Sequence, residues 1–266
     1  MPSVSIGDAD IHYDEAGRGD ALLLVPGLSG QGSFWSQQVE AFRTEFRVIV
    51  HDHRGAGRST HSPIKYSVEQ MADDTLRLMD VLGVERAHLV GHSTGGAIGQ
   101  VIALDHPDRL QSLVLSATWP GPDPYFRRLF EARKEVLLTQ GIEAYLRASV
   151  LVLAPPEWVS RNDVAIAELH RAQAASWPPR EIVASRIDAI VAFDRRRRMA
   201  DIRVPTLIVV AQDDMVTPRF YSDELAKGVP GAQYVVLEGG GHFAPQIQPD
   251  PYNRAVGAFL RSRRRR

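Results

Sequence analysis

Short apolar runs, each bounded by turn-forming residues, recur along this chain. Ala21–Gly27 (ALLLVPG), Phe46–Asp52 (FRVIVHD), Arg86–His92 (RAHLVGH), Gln111–Ala117 (QSLVLSA), Pro205–Asp214 (PTLIVVAQDD) and Ala232–Gly240 (AQYVVLEGG) fit the pattern. Val, Ile and Leu fall on both faces of these runs, as in strands buried on two sides within a parallel sheet. Between several of them, apolar positions recur at three- and four-residue spacing. Val68–Gly83 reads as a helix ending at its glycine, Gly95–Pro107 as a helix stopped by its proline, and Pro251–Arg263 as a helix with a basic last turn. Strands alternating with helices predict an α/β fold built on a doubly wound, mostly parallel sheet.

The rhythm breaks from about Trp119 to Asp201. No strand pattern is visible there, and three long helical stretches are punctuated by Pro120, Pro122, Pro124, Gly141, Pro155, Pro156, Pro178 and Pro179. The expectation is a helical cap over residues 119–200, inserted between two strands of a core formed by residues 1–118 and 201–266. Neither an internal repeat nor a low-complexity segment is visible.

Composition narrows the chemistry. With 266 residues, 44% of them hydrophobic, one α/β domain can bury a large core. A formal net charge of −1 gives no global field for nucleic acid or an anionic membrane. The absence of cysteine excludes disulfides, thiolate nucleophiles and cysteine-ligated metals. The N-terminal segment lacks a basic start followed by an apolar stretch, and no apolar run reaches membrane-spanning length. The expected setting is cytoplasmic.

One short segment stands out against this frame. Gly91-His92-Ser93-Thr94-Gly95 follows a predicted strand and opens a predicted helix. A bend this tight forces Ser93 into an unfavourable backbone region, and glycines at 91 and 95 remove Cβ atoms that would collide with strand and helix. The hydroxyl then emerges at the carboxyl end of the sheet, where open α/β folds bind ligands, beside the free N–H groups of a helix start. A serine hydroxyl needs a base. Of nine histidines, His92 is expected to point away from the serine. His12, His51, His53, His61, His88, His106 and His170 have ordinary structural readings. His242 sits in the glycine-rich loop EGGGHFAP after the last predicted strand, free to swing toward the sheet edge. A carboxylate is needed to hold its tautomer; the preceding strand ends at Asp213 and Asp214. An oxyanion would need two N–H donors. The expected donors are Thr94, directly after the nucleophile, and Leu28 in the loop PGLSGQG, with Ser29 as the other choice for the loop.

Taken together, these segments resemble the α/β-hydrolase superfamily over essentially the whole chain. PGLSG resembles its oxyanion loop, HDHRGAGRS its D-x-R-G-x-G-x-S turn, GHSTGG its nucleophile elbow, AQDDMVTP its acid loop and GGGHF its histidine loop. The acid loop of the family reads G-x-x-D-x-x-x-P. Ala211 and Pro218 occupy the glycine and proline positions, so the resemblance selects Asp214 as the acid. Pro26 replaces the commoner histidine of the oxyanion loop. Within the superfamily the chain looks most like small capped hydrolases of the 3-oxoadipate enol-lactonase and aminoacrylate-hydrolase type, through GLSGQGSFWSQQ, YSVEQMADD, LAPPEW and FDRRRRMADIRVPTLIV. Some aminoacrylate hydrolases lack serine at the elbow; retention of Ser93 favours acyl-enzyme chemistry.

The resemblance implies a cofactor-independent serine hydrolase with the triad Ser93, Asp214 and His242, acting on a small ester or lactone. Alternatives are hydrolysis of a C–C bond, hydrolysis of an aminoacrylate or amide, and a ligand receptor that keeps the same fold. Trp119, Phe126, Trp158 and Trp177 are candidates for the substrate pocket. Arg54 and Arg58 read as loop braces. The basic runs DRRRR, starting at Asp194, and RSRRRR, Arg261–Arg266, read as solvated charge rather than a nucleic-acid surface. His51 and His53 lack a third ligand, so no metal site is expected. No membrane partner is expected, and self-association is left open.

Overall fold

The structure is a computed structural model that describes residues 2–263. An 8-stranded sheet runs through it. Its strands are β1 (Ser3–Ser5), β2 (Asp10–Ala16), β3 (Ala21–Val25), β4 (Arg47–His51), β5 (Ala87–His92), β6 (Leu110–Ser116), β7 (Thr206–Ala211) and β8 (Gln233–Leu237). The spatial order is β1-β2-β4-β3-β5-β6-β7-β8. Only β1 and β2 pair antiparallel, β1 with β2 and β2 with β4; the remaining pairs are parallel. Strands β3 to β8 occupy the six apolar runs. The sequence pattern missed β1 and β2, whose polar, half-exposed residues give no two-sided apolar run.

Helices cover both faces. These are α1 (Ser36–Phe42), α2 (Val68–Val81), α3 (Thr94–Asp105), α4 (Pro124–Gln140), α5 (Ile142–Leu153), α6 (Pro156–Arg161), α7 (Asp163–Ala175), α8 (Arg180–Ala192), α9 (Arg219–Gly228), α10 (Ala244–Ile247) and α11 (Pro249–Arg261). Alternation along each central strand sends neighbouring side chains to opposite faces. Leu23, Leu89, Leu113 and Ile208 pack with Met79 of α2 and Ile98 and Ile102 of α3. Leu22, Leu24, Val90, Val114 and Val209 pack with Phe42 of α1 and Val256 and Phe259 of α11. None of the described helices is long and apolar enough to cross a membrane.

Between β6 and β7 the described residues form helices α4 to α8 and a 3-10 turn, Arg196–Asp201, with no strand. Helix α4 starts where the Asp123 carboxylate accepts from the Phe126 amide at 2.9 Å, with Pro124 in the first turn. Trp119 and Phe126, expected at a substrate pocket, are both fully buried at 0% exposure. Their rings lie 4.6 Å apart, and Phe126 lies 4.5 Å from Phe130. Their other ring partners are Phe193 for Trp119 and Tyr221 for Phe126, so the two residues are packed as core and anchor the insertion. Truncation of Phe126 to alanine is therefore expected to lower the unfolding free energy by about 3–5 kcal/mol, read from urea unfolding monitored by fluorescence and circular dichroism. A loss below about 1 kcal/mol would show that the ring is not a core anchor.

Candidate active site

Ser93 joins β5 to α3 with φ 54° and ψ −115°, a positive-φ conformation rare for a residue with a side chain. Two pins hold it: the Ser93 amide donates to the Ser116 carbonyl at 2.8 Å, and the Thr118 hydroxyl donates to the Ser93 carbonyl at 2.8 Å. The bend needs both glycines of the motif. A Cβ at Gly91 would lie 2.2 Å from the Gly95 carbonyl oxygen, and one at Gly95 would lie 2.1 Å from the Val25 carbonyl oxygen. Strand, bend and helix approach too closely for any side chain there.

The loop after β3 lies directly over the serine. A Cβ on Gly27 would stand 3.2 Å from the Ser93 Cβ. The Gly30 amide donates to the Gly27 carbonyl at 3.0 Å, closing a turn around Leu28 and Ser29. The Thr94 amide begins α3 and has no intrahelical acceptor. The site thus holds a serine, the start of a helix and a tight loop in one place.

His242 lines the same cavity, and its Nδ1 lies 2.8 Å from Asp214 Oδ2. Asp214 is fully enclosed by donors. Its Oδ1 accepts from the amides of Val216 at 2.8 Å and Thr217 at 2.9 Å, and its Oδ2 also accepts from the Thr217 hydroxyl at 3.0 Å. Asp213, the neighbour, does separate work: its Oδ1 accepts from the Gly241 amide at 2.9 Å and fixes the loop that carries His242. Asp214 and His242 are both buried. Ser93 and His242 line one cavity of about 370 Å³ without a direct hydrogen bond between them in this conformation.

Of the expected pocket aromatics, Trp158 and Trp177 line this cavity; Trp119 and Phe126 do not, and Phe130 stands at its wall in their place. Arg54 bridges the Asp8 and Asp74 carboxylates at 2.7–3.0 Å, so it is a brace. Arg195, Arg196 and Arg198 of the internal basic run pair with Glu69, Glu224 and Asp105; the last residues of the terminal run, 264–266, lie outside the described residues. Sequence reasoning missed two arginines. Arg133 on α4 and Arg186 on α8 both line the cavity and are buried. Arg186 donates to the Leu28 carbonyl at 3.1 Å and the Arg54 carbonyl at 2.6 Å, and its Nη2 lies 3.0 Å from His53 Nδ1. It ties the inserted helices to the loop over Ser93. Burial lowers its pKa to about 10. A lone arginine within a helical pattern carries no sequence signal of this kind.

A strained serine on a strand–bend–helix turn, with a histidine–aspartate pair across one cavity, is the arrangement found on α/β-hydrolase folds. The chain belongs to that family: residues 20–245 match the family described as "alpha/beta hydrolase fold". It is 40% identical over 259 residues to a protein of Azorhizobium caulinodans named "Putative carbamate hydrolase RutD", covering 97% of this chain and 98% of that one. A Caulobacter vibrioides protein of the same name is 40% identical over 98% of this chain and 99% of its own. Among solved structures, the enol-lactonase of Burkholderia xenovorans LB400 superposes with a TM-score of 0.90 at 29% identity, covering 97% of this chain and 99% of that one. A thermophilic esterase of Thermogutta terrifontis superposes with a TM-score of 0.88 at 28% identity over the full length of both chains.

Two outcomes follow from the local physics. Replacing Ser93 with glycine removes the Cβ that the bend strains, so urea unfolding is expected to show a gain of about 1 kcal/mol. A loss of stability would mean that the bend is unstrained. The buried histidines set the acid limit. Burial holds His51 down to about 4 and keeps His53 and His92 well below the usual 6.5. The unfolded chain therefore binds these protons first. Their contribution is full above about pH 6.5 and is lost as pH falls toward 4; at pH 5 the His51 share of that loss is about 2 kcal/mol. Urea midpoints measured at pH 7.5 and pH 5 are expected to fall accordingly. Equal midpoints would show that these rings are solvated.

Proposed function

We propose that this chain is a cofactor-independent serine hydrolase that cleaves a small carboxylic ester or lactone through an acyl-enzyme. One observation carries the reading: the Asp214–His242 pair shares a cavity with Ser93, whose strained bend aims its hydroxyl at the carboxyl end of the sheet. His242 Nδ1–H donates to Asp214 Oδ2, which leaves Nε2 as the base. Nε2 takes the Ser93 proton as Oγ attacks the substrate carbonyl carbon. Negative charge builds on the carbonyl oxygen, where the amides of Thr94 and Leu28 donate to it. Leu28 is preferred over Ser29 because Arg186 grips its carbonyl and so sets the direction of the loop. His242 returns the proton to the leaving oxygen, and the acyl group remains on Ser93. A water activated by His242 then attacks the acyl carbon, releases the acid and restores Ser93.

The inserted helices act as the cap and shape the acyl pocket with Trp158, Trp177 and Phe130. The name of the relatives at 40% identity supports a second reading, in which the scissile bond is a carbamate or amide. The same residues serve both. The leaving group separates them: a panel of matched ester, lactone, amide and carbamate substrates ranks the readings by kcat/KM.

The mechanism itself has a direct test. Wild-type protein is expected to turn over p-nitrophenyl acetate and to gain one fluorophosphonate adduct at Ser93 by intact mass and peptide mapping. Ser93→Ala is expected to lower kcat by roughly 10⁴ or more, and Asp214→Asn by roughly 10³–10⁴. Equal rates for wild type and Ser93→Ala, or an adduct at another residue, overturn the mechanism.

A further inference from the structure

The cavity over Ser93 has an uneven charge inventory. Arg133 and Arg186 line it, and no Asp or Glu does. Arg186 is spent on the protein itself, since its donors meet the carbonyls of Leu28 and Arg54 and the ring of His53. Arg133 is different. It is 9% exposed, and no carboxylate partners it among the described residues. Its Nε donates to the Ser149 hydroxyl oxygen at 3.1 Å and its Nη2 to the Tyr145 phenol oxygen at 2.9 Å. Its Nη1 meets no acceptor among the described residues. The guanidinium lies 5.0 Å from the Phe130 ring centroid and 5.1 Å from that of Tyr145. A buried cation held only by neutral groups lacks compensation for its lost hydration.

The hydroxyls add to the asymmetry. Ser149 and Tyr145 both line the cavity, and each accepts from Arg133. Each therefore keeps its own proton to give. The cluster offers donors without an acceptor: a guanidinium N–H, a phenol O–H and an aliphatic O–H. The complement is a planar anion with two oxygens, for which arginine is the best matched cation. Apolar side chains, Leu146, Val150 and Phe130, surround the cluster on α5 and α4. A carboxylate there trades hydration for charge-assisted hydrogen bonds in a site of low polarity.

We propose that Arg133, with Tyr145 and Ser149, forms a carboxylate-recognition site in the inserted helices, so that the physiological substrate is an anionic acyl compound: its reactive carbonyl lies at Ser93 and a separate carboxylate at Arg133. This rests on Ser93 as nucleophile and extends it by naming the substrate class. The cavity, about 370 Å³, falls within the range that holds a small metabolite. Arg133 acts as a specificity residue and takes no part in bond cleavage.

The experiment compares p-nitrophenyl hydrogen glutarate with its neutral counterpart, p-nitrophenyl pentanoate, after subtraction of uncatalysed hydrolysis. Wild type is expected to prefer the anionic ester by about tenfold or more in kcat/KM. Arg133→Met is expected to reduce that preference by roughly thirtyfold, mainly through KM for the anionic ester, and Arg133→Lys to recover part of it. Tyr145→Phe keeps the ring and removes one donor, so a smaller fall in the same ratio is expected. A merely structural role for Arg133 lowers both esters together and leaves the ratio unchanged, which overturns the proposal; so does a wild type without anionic preference. Calorimetric titration with glutarate reads the site without turnover. Binding that weakens in Arg133→Met supports the proposal even where neither ester is cleaved, an outcome that counts against Ser93 chemistry alone. Glutarate binding that is absent, or equal in both proteins, overturns the carboxylate site and leaves the Ser93 reading intact.

Discussion

The backbone at Ser93 is the constraint on which the site is built. A positive φ at a residue with a side chain is unfavourable by roughly 1–3 kcal/mol and survives only where surroundings overdetermine it. Here the determination is steric and polar at once. The sheet backbone at Val25 and the helix backbone at Gly95 meet where no Cβ fits. Hydrogen bonds to Ser116 and Thr118 fix the amide and carbonyl of Ser93 itself. Because the approach is backbone on backbone, the bend cannot relax without parting α3 from β3. The same approach brings the start of α3 and the Gly27 turn to the hydroxyl.

The histidine side of the cavity is fixed by a different device. Asp213 and Asp214 are adjacent in sequence and divide two tasks. Asp213 holds the backbone of the histidine loop, and Asp214 holds the ring. Neither lines the cavity, so the negative charge stays behind the imidazole. His92, whose ring centroid is 4.8 Å from that of His242, is kept neutral chiefly by burial. Phe34 stacks on His92 at 4.9 Å and closes that side to water.

Whatever is governed by local sequence was legible before the structure. The two-sided apolar runs gave β3 to β8. The spacing of Gly91, Ser93 and Gly95 gave the elbow, because its sterics involve neighbours in the chain. The break in the strand rhythm gave the inserted helices. Features set by tertiary contact were not legible. Strands β1 and β2 have little buried surface to write a pattern. Trp119 and Phe126 look the same as Trp158 and Trp177 in sequence, since all four are aromatic residues in one helical stretch; only packing divides them into anchor and wall. Arg54 was legible as a brace from its place in the HDHRGAGRS turn, whereas Arg133 carried no signal. One meets two carboxylates across the fold, and the other meets none among the described residues.

That last contrast explains how one fold can keep its chemistry while its selectivity varies. The groups around the scissile bond come from strand ends and from loops clamped to the sheet, where displacement breaks several backbone contacts at once. The groups at the far end of the cavity come from α4 and α5, which pack on each other, on α7 and α8 and on the turn that carries His242. A change there alters what fits without disturbing the elbow. Arg186 is the exception that links the two regions. It rises from α8, yet its hydrogen bonds end on the Leu28 and Arg54 carbonyls. The inserted helices and the loop over Ser93 are thus held to one another by direct hydrogen bonds, so the position of that loop depends on residues far from it in the chain.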